Sequence, residues 1–135
     1  MFRQSVLVLL MIFVMVMVFA CSSDPEPVDP PLEGEVEDLA SEFISKLLDE
    51  DYSSAVMYFN ADMKKAMSES KLKQTWEGLF IQLGSYEGEL EKRVESSGDY
   101  EAVNVISQFA NDQINIRVVF DSDNRVAGLW FQNVE

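Results

Sequence analysis

The sequence from residue 72 to residue 94, LKQTWEGLFIQLGSYEGELEKRV, changes its hydrophobic period partway along. Before Gly84 the apolar residues recur at spacings of three and four, which predicts an amphipathic helix. After it the period becomes two, which predicts a strand. Gly84 stands where a helix C-cap belongs. The helical stripe is Leu72, Trp76, Leu79, Phe80 and Leu83, and in the strand Tyr86, Gly88, Leu90, Lys92 and Val94 alternate with Glu87, Glu89, Glu91 and Arg93.

Downstream of this stretch, three further strands are predicted, over residues 100–110, 113–121 and 125–133. Turn-forming residues separate them at 96–99, 111–112 and 122–124. Such short connections join antiparallel neighbours. In the third strand, Ile114, Ile116, Val118 and Phe120 share one face.

Upstream, the spacing is helical from about Glu35. Asn60 is a candidate cap for a short helix, and Ser68 or Ser70 for the next. Helices followed by strands predict an α+β fold, in which N-terminal helices pack on a curved four-stranded antiparallel sheet. The apolar stripes are Val36, Leu39, Ala40, Phe43, Leu47 and Leu48, and then Tyr52, Ala55, Val56 and Phe59.

The N-terminus reads as a signal peptide over residues 1–20. Arg3 supplies the positive charge, and residues 6–19 are all apolar. That run is shorter than the roughly 20 residues that span a bilayer.

The end of this run, Val18-Phe19-Ala20-Cys21, resembles the lipobox of prokaryotic lipoproteins. The resemblance implies that Cys21 is lipidated, becomes the mature N-terminus and holds the protein to the membrane. An uncleaved membrane anchor is the alternative. Residues 21–34 contain all four prolines and only acidic charges, which predicts a tether. The domain is then expected over residues 35–135, on the extracytoplasmic side of the cell envelope.

The composition excludes several function classes. The formal net charge is −14, which argues against a nucleic-acid partner. Without histidine, Ser-His-Asp and Cys-His catalysis are excluded, and so are imidazole-ligated metals. A single cysteine allows no internal disulfide. We predict no metal site and no cofactor.

The mature chain resembles the DUF3887 family, which is similar to the cone-shaped NTF2-like folds. The resemblance covers residues 39–131 and implies a fold rather than a mechanism, because the family has no established activity. It rests on Phe43-x-x-x-Leu47, Asp51-Tyr52-Ser53-Ser54-Ala55, Phe59, Met63-Lys64, Leu72-x-x-x-Trp76, Leu83-Gly84-x-Tyr86 and Val126-Ala127-Gly128-Leu129-x-Phe131.

Three patterns suggest catalysis or metal binding but favour structural roles. Ser68-Glu69-Ser70-Lys71 spells S-x-x-K, yet the companion motifs of penicillin-recognising enzymes are absent, and a helix cap explains Ser68. The turn at residues 121–124 resembles the start of a calcium loop, but Val126 occupies the position that needs glycine. Glu87, Glu89 and Glu91 are expected on one solvated face. No catalytic residue is assigned.

Two groups of residues are candidate binding sites. One group lines either a pocket between helix and sheet or simply the core: Trp76, Phe80, Tyr86, Phe109, Phe120 and Phe131. The other, Arg117, Val119 and Trp130, faces outward and has the composition of an interface centre, for a homodimer or another envelope protein. We therefore expect a membrane-anchored, non-enzymatic binding module; a carrier of a small apolar or peptide-like ligand and a small acid/base enzyme are alternatives.

Overall fold

The fold is described by a computed structural model, which covers residues 29–134. The predictions for the signal peptide, for Cys21 and for the first part of the tether lie outside these residues. None of the helices between residues 29 and 134 combines the length and the apolar character that crossing a membrane requires.

Four helices form the first half of the described chain: α1 (Val36–Leu48), α2 (Tyr52–Ala55), α3 (Ala61–Ala66) and α4 (Glu69–Leu83). A 3₁₀ turn, Val56–Tyr58, continues α2. The predicted caps are confirmed, because Asn60 accepts a hydrogen bond from the Met63 amide at 2.8 Å and Ser68 accepts one from the Lys71 amide at 3.2 Å. Each cap satisfies a backbone donor that the first helical turn leaves unpaired.

Four strands form the second half: β1 (Tyr86–Ser97), β2 (Tyr100–Phe109), β3 (Gln113–Phe120) and β4 (Val126–Asn133). They are paired in chain order, β1-β2-β3-β4, and every pair is antiparallel. The prediction of an α+β fold with helices before a four-stranded antiparallel sheet is therefore confirmed.

The core lies between the helices and one face of the sheet, which we call the inner face. The four alternating residues predicted for β3 all point there, and each is at most 3 % exposed. Phe43 of α1 and Phe59, which directly follows the 3₁₀ turn, are fully buried, with ring centroids 5.7 Å apart. Burial of each such side chain stabilises the fold by about 1.5–3 kcal/mol.

The register of β1 corrects one prediction. Glu89 is paired with Ser107 and Glu91 with Ile106, so the glutamates are two positions apart on β1 whereas their partners are one position apart on β2. Ser107 and Ile106 are adjacent on β2 and therefore point to opposite faces of the sheet, so their partners Glu89 and Glu91 also point to opposite faces. The prediction that the three glutamates share one face is wrong, because a bulge at Leu90 shifts the alternation.

The last residues of the predicted tether contact the domain. The carbonyl of Pro30 accepts hydrogen bonds from Arg125 Nε at 2.9 Å and Nη2 at 2.7 Å, and the amide of Leu32 donates to Asp123 O at 2.9 Å. Arg125 is only 6 % exposed and also donates to the carbonyl of Met57 at 2.6 Å. Residues 29–34 therefore lie against the turn that precedes β4.

Candidate functional site

The outer face of the sheet, opposite the helices, carries the three predicted interface residues. Arg117 and Trp130 are cross-strand partners, and Val119 is the partner of Gly128. Side chains alternate along a strand, so the burial of Ile116, Val118 and Leu129 turns these outward. Trp130 is 50 % exposed. The structure therefore brings the three together on one accessible surface.

The indole of Trp130 lies flat along β4, over Gly128. A Cβ atom added at Gly128 would be 2.3 Å from two carbons of the Trp130 ring. The glycine thus forms a floor on which the ring rests, and the opposite side of the ring faces solvent. An aromatic side chain held this way loses little conformational entropy when a partner covers it.

Arg117 is held in position by two acceptors. Its Nη1 donates to Glu95 Oε2 at 2.9 Å and to Asn104 Oδ1 at 3.1 Å. The hydrogen bond from Arg117 lowers the pKa of Glu95 below its ordinary value, and a hydrogen bond from Asn104 contributes in the same direction. The guanidinium is thus pre-organised beside Trp130.

A groove of about 710 Å³ indents the same face, toward the C-terminal end of β4. Its lining includes amide side chains and the ion pair of Glu91 with Arg93. Asn115 donates to Asn104 Oδ1 at 2.9 Å, and Gln113 donates to Gln108 Oε1 at 2.9 Å. Apolar contact surface comes from three residues of the lining, Leu90, Ile106 and Val134. Sequence reasoning missed this groove, because the bulge at Leu90 shapes one wall.

The six aromatic residues predicted to line either a pocket or the core are mostly packed against one another. Trp76 has ring-centroid distances of 5.4 Å to Phe80, 6.4 Å to Phe109 and 5.9 Å to Phe131. Tyr86 joins the group, at 5.4 Å from Phe109. These edge-to-face and tilted contacts are typical of a close-packed core.

Phe120 is separate from this aromatic group. It is fully buried and is paired with Glu101, at the end of β2 away from Phe109. The six predicted residues therefore do not surround one common space.

A second depression, of about 270 Å³, opens on the helix side of the molecule. Two of the six aromatics, Trp76 and Phe80, are among its lining residues, with Leu48, Glu50, Tyr52 and Glu77. Tyr52 is 6 % exposed, and its hydroxyl has no hydrogen-bond partner. Sequence reasoning assigned Tyr52 to a helical stripe and to a motif of the family resemblance; the acidic run at residues 49–51, directly before it, was the one signal that it faces polar groups.

The patterns that suggested catalysis have structural roles here. The side chain of Ser68 caps α4 and does not contact the amine of Lys71, which donates to the carbonyl of Ala66 at 3.4 Å. Asp121 Oδ1 accepts from the amides of Asp123 at 2.9 Å and Arg125 at 3.0 Å, as in a tight turn.

The carboxylate of Glu91 is likewise engaged. It takes a bidentate contact from Arg93, at 2.6 and 2.7 Å, which lowers its pKa below the ordinary value. Over residues 29–134, no group of three or more acidic or cysteine side chains is arranged to hold a metal ion.

Comparison with known proteins yields one match. No curated protein and no solved structure matches the chain. A family model does match, over residues 40–129, which is more than half of the chain. The matched segment runs from within α1 to β4 and so contains nearly all of the described fold. The chain therefore belongs to the DUF3887 family, a family of proteins of unknown function.

Proposed function

We propose that this protein is a lipid-anchored, non-enzymatic interaction module of the cell envelope, and that the outer face of its sheet is the interaction surface. The observation that carries the proposal is Trp130, which is 50 % exposed and stands beside an ordered Arg117. Tryptophan and arginine are enriched at the energetic centres of protein interfaces. A large exposed aromatic flanked by polar groups is typical of a contact surface.

The partner that fits this face is a second copy of the chain. Trp130 lies on the outer face with one side of its ring exposed, and the groove indents the same face. In a twofold dimer, the exposed side of each Trp130 ring can pack against the groove of the other protomer, which makes a self-complementary interface. Leu90 and Ile106 offer apolar contact to the indole, and Gln132 offers an acceptor for the indole N–H.

The anchor is supported by the sequence. Arg3, the apolar run over residues 6–19 and the cysteine at residue 21 have the order and spacing of a lipoprotein signal. Lipidation at Cys21 would tether the domain outside the cytoplasm. A Cys21→Ser variant is expected to lose incorporation of a labelled fatty acid, whereas retention of the label would contradict the anchor.

The proposal that the protein is not an enzyme is supported by the structural roles of the polar residues that had suggested catalysis or metal binding. Ser68, Asp121 and Glu91 each have a capping, turn-forming or ion-pairing role that accounts for them. The resemblance to NTF2-like folds belongs to the proposal as well, and is supported by helices preceding an antiparallel four-stranded sheet.

The test is site-specific photo-cross-linking of the full chain in its native membrane. A benzophenone amino acid replaces Trp130 in one variant and Ile81 in the other; Ile81 is 85 % exposed and lies on α4, on the helix side of the molecule. We expect a cross-linked dimer from position 130 and none from position 81.

A Trp130→Ala variant provides the second readout. It is expected to remain folded while self-association weakens. A monomer at every concentration, or an equal yield of dimer from both cross-linking positions, would contradict the proposed interface.

A further inference from the structure

We propose that the depression on the helix side binds a small organic cation, an alkylammonium ion. We call this depression the cation pocket; it is lined by Leu48, Glu50, Tyr52, Trp76, Glu77 and Phe80. It lies across the molecule from the outer face of the sheet, so the inference does not depend on the proposed interface.

One residue of the pocket lining, Tyr52, has an unsatisfied hydroxyl group. Tyr52 is more than nine-tenths buried, and its hydroxyl has no hydrogen-bond partner. Leaving a buried polar group unpaired costs about 1–3 kcal/mol, so such groups are uncommon in folded proteins. The oxygen itself is closed to solvent, so a ligand that carries an N–H group would donate to it and remove the penalty only after the side chains lining the pocket shift.

Two carboxylates, those of Glu77 and Glu50, lie in the same pocket lining as Tyr52. Burial raises the pKa of Tyr52, and the negative charges of Glu77 and Glu50 raise it further. Two negative charges beside one acceptor form a site that attracts a cation and repels an anion.

Lys73 is the basic residue that competes for one of these carboxylates. Its amine is 4.0 Å from Glu77 Oε1, and both side chains are about half exposed. An exposed pair at this distance on a helix surface contributes little. The net charge of −14 adds a long-range attraction for cations.

The rest of the pocket lining is largely apolar. Leu48 and Phe80 are partly buried, and Phe80 packs edge-to-face on Trp76 at 5.4 Å. Apolar walls below a charged rim suit a ligand with a short carbon chain and an ammonium head. Attraction between the cation and the aromatic rings adds to this. A bare metal ion would leave these walls without contact.

The backbone at Glu50 fits the same interpretation. Glu50 follows the C-terminal end of α1 with a φ of 58°, in the left-handed region where glycine or asparagine is the usual residue. The chain carries a glutamate there although glycine would adopt this conformation more easily. Unfavourable backbone conformations of this kind are concentrated at functional sites.

The experiment titrates the full chain, in detergent, with n-butylammonium. A Trp130→Phe background leaves Trp76, which lines the pocket, as the single tryptophan, so its emission reports on this site. Salt at about 0.15 M shortens the Debye length to about 8 Å and suppresses non-specific attraction. The comparison ligands are n-butanol, butyrate and calcium ion.

We expect saturable binding of n-butylammonium and much weaker binding of the three comparison ligands. Glu50→Gln and Glu77→Gln should each weaken it about tenfold, because each removes a charged partner. The matched control is Glu87→Gln, since Glu87 is an exposed acid on β1, and it should leave the affinity unchanged.

Two further variants keep the proposal open to refutation even where a substitution disturbs the fold. Tyr52→Phe removes only the unpaired hydroxyl, so it should weaken binding without lowering the melting temperature. Glu50→Gly should raise the melting temperature and weaken binding at least as much as Glu50→Gln does. The proposal is overturned if butanol or calcium binds as well as butylammonium, or if Glu87→Gln weakens binding as much as Glu50→Gln does.

Discussion

The two tryptophans lie on opposite sides of the sheet, and their surroundings differ in every respect. Trp76 is 1 % exposed and touches three phenylalanine rings, whereas Trp130 is 50 % exposed and rests on a glycine. Between helices and sheet, aromatic and aliphatic side chains pack around Trp76. The outer side displays an aromatic ring, an ordered arginine and an amide-lined groove.

The two tryptophans are therefore expected to have different roles, Trp76 in the stability of the fold and Trp130 in binding a partner. A side chain that touches several buried rings contributes mainly to the free energy of folding, because its removal leaves a cavity. A side chain that rests on one surface with its other side in solvent contributes little to folding and remains available to a partner. The comparison can be tested at four levels.

The largest effect is expected from the tryptophans themselves. Trp76→Ala should lower the free energy of unfolding by about 3–5 kcal/mol, because the cavity cannot collapse among its packed neighbours. Trp130→Ala should lower it by no more than about 1 kcal/mol. Urea denaturation followed by circular dichroism measures both. Losses of similar size would show that Trp130 also belongs to the core.

The next effect is expected from two arginines, the buried Arg125 and the partly exposed Arg117. Arg125→Met should lower the free energy of unfolding by about 1–3 kcal/mol, because the carbonyls of Pro30 and Met57 lose their donors. Arg117→Met, on the half-exposed outer face, should lower it by less than about 1 kcal/mol. The same denaturation experiment compares the two variants. A larger loss from Arg117→Met than from Arg125→Met would show that Arg117 contributes more to folding than the buried Arg125 does.

A pair of glycines gives a smaller and opposite effect. Gly78 lies within α4, with open space where a Cβ would be, so Gly78→Ala should raise the free energy of unfolding by about 0.5–1 kcal/mol. Gly128→Ala should instead displace the ring of Trp130, which a new Cβ would meet at 2.3 Å.

The readout for Gly128→Ala is quenching of tryptophan emission by acrylamide. We expect stronger quenching than in the wild type, since the displaced ring loses its floor. Unchanged quenching would mean that the ring does not rest on Gly128 in solution.

The smallest effect is expected from the pH dependence of two ion pairs on the outer face. Arg93 lowers the pKa of Glu91, and Arg117 lowers that of Glu95. Because the folded pKa is below the unfolded value, these carboxylates contribute stability above a pH of about 4.5, and the contribution disappears as the pH falls through the folded pKa. The melting temperature should therefore fall as the pH is lowered below about 4.5. It should fall less steeply in the Glu95→Gln variant, and a melting temperature that rises as the pH is lowered would contradict the ion pairs.

Much of the fold could be predicted because it depends on local forces. The apolar periods of 3.6 and of two marked the helices and strands, and capping side chains marked where two helices begin. The same alternation turned Trp130 and Arg117 outward once their neighbours were buried. Each of these features depends on residues a few positions apart, so the sequence carries the information directly.

The sequence by itself determined the helices, the antiparallel strands and which side chains of β3 and β4 face the core. Tertiary structure alone decided the bulge at Leu90, the burial of Arg125 against Pro30 and the meeting of Tyr52 with Glu77. Those three features join segments that are distant along the chain, or depend on how one strand aligns with the next. They are set by the summed packing of the whole domain, and no local spacing of residues encodes them.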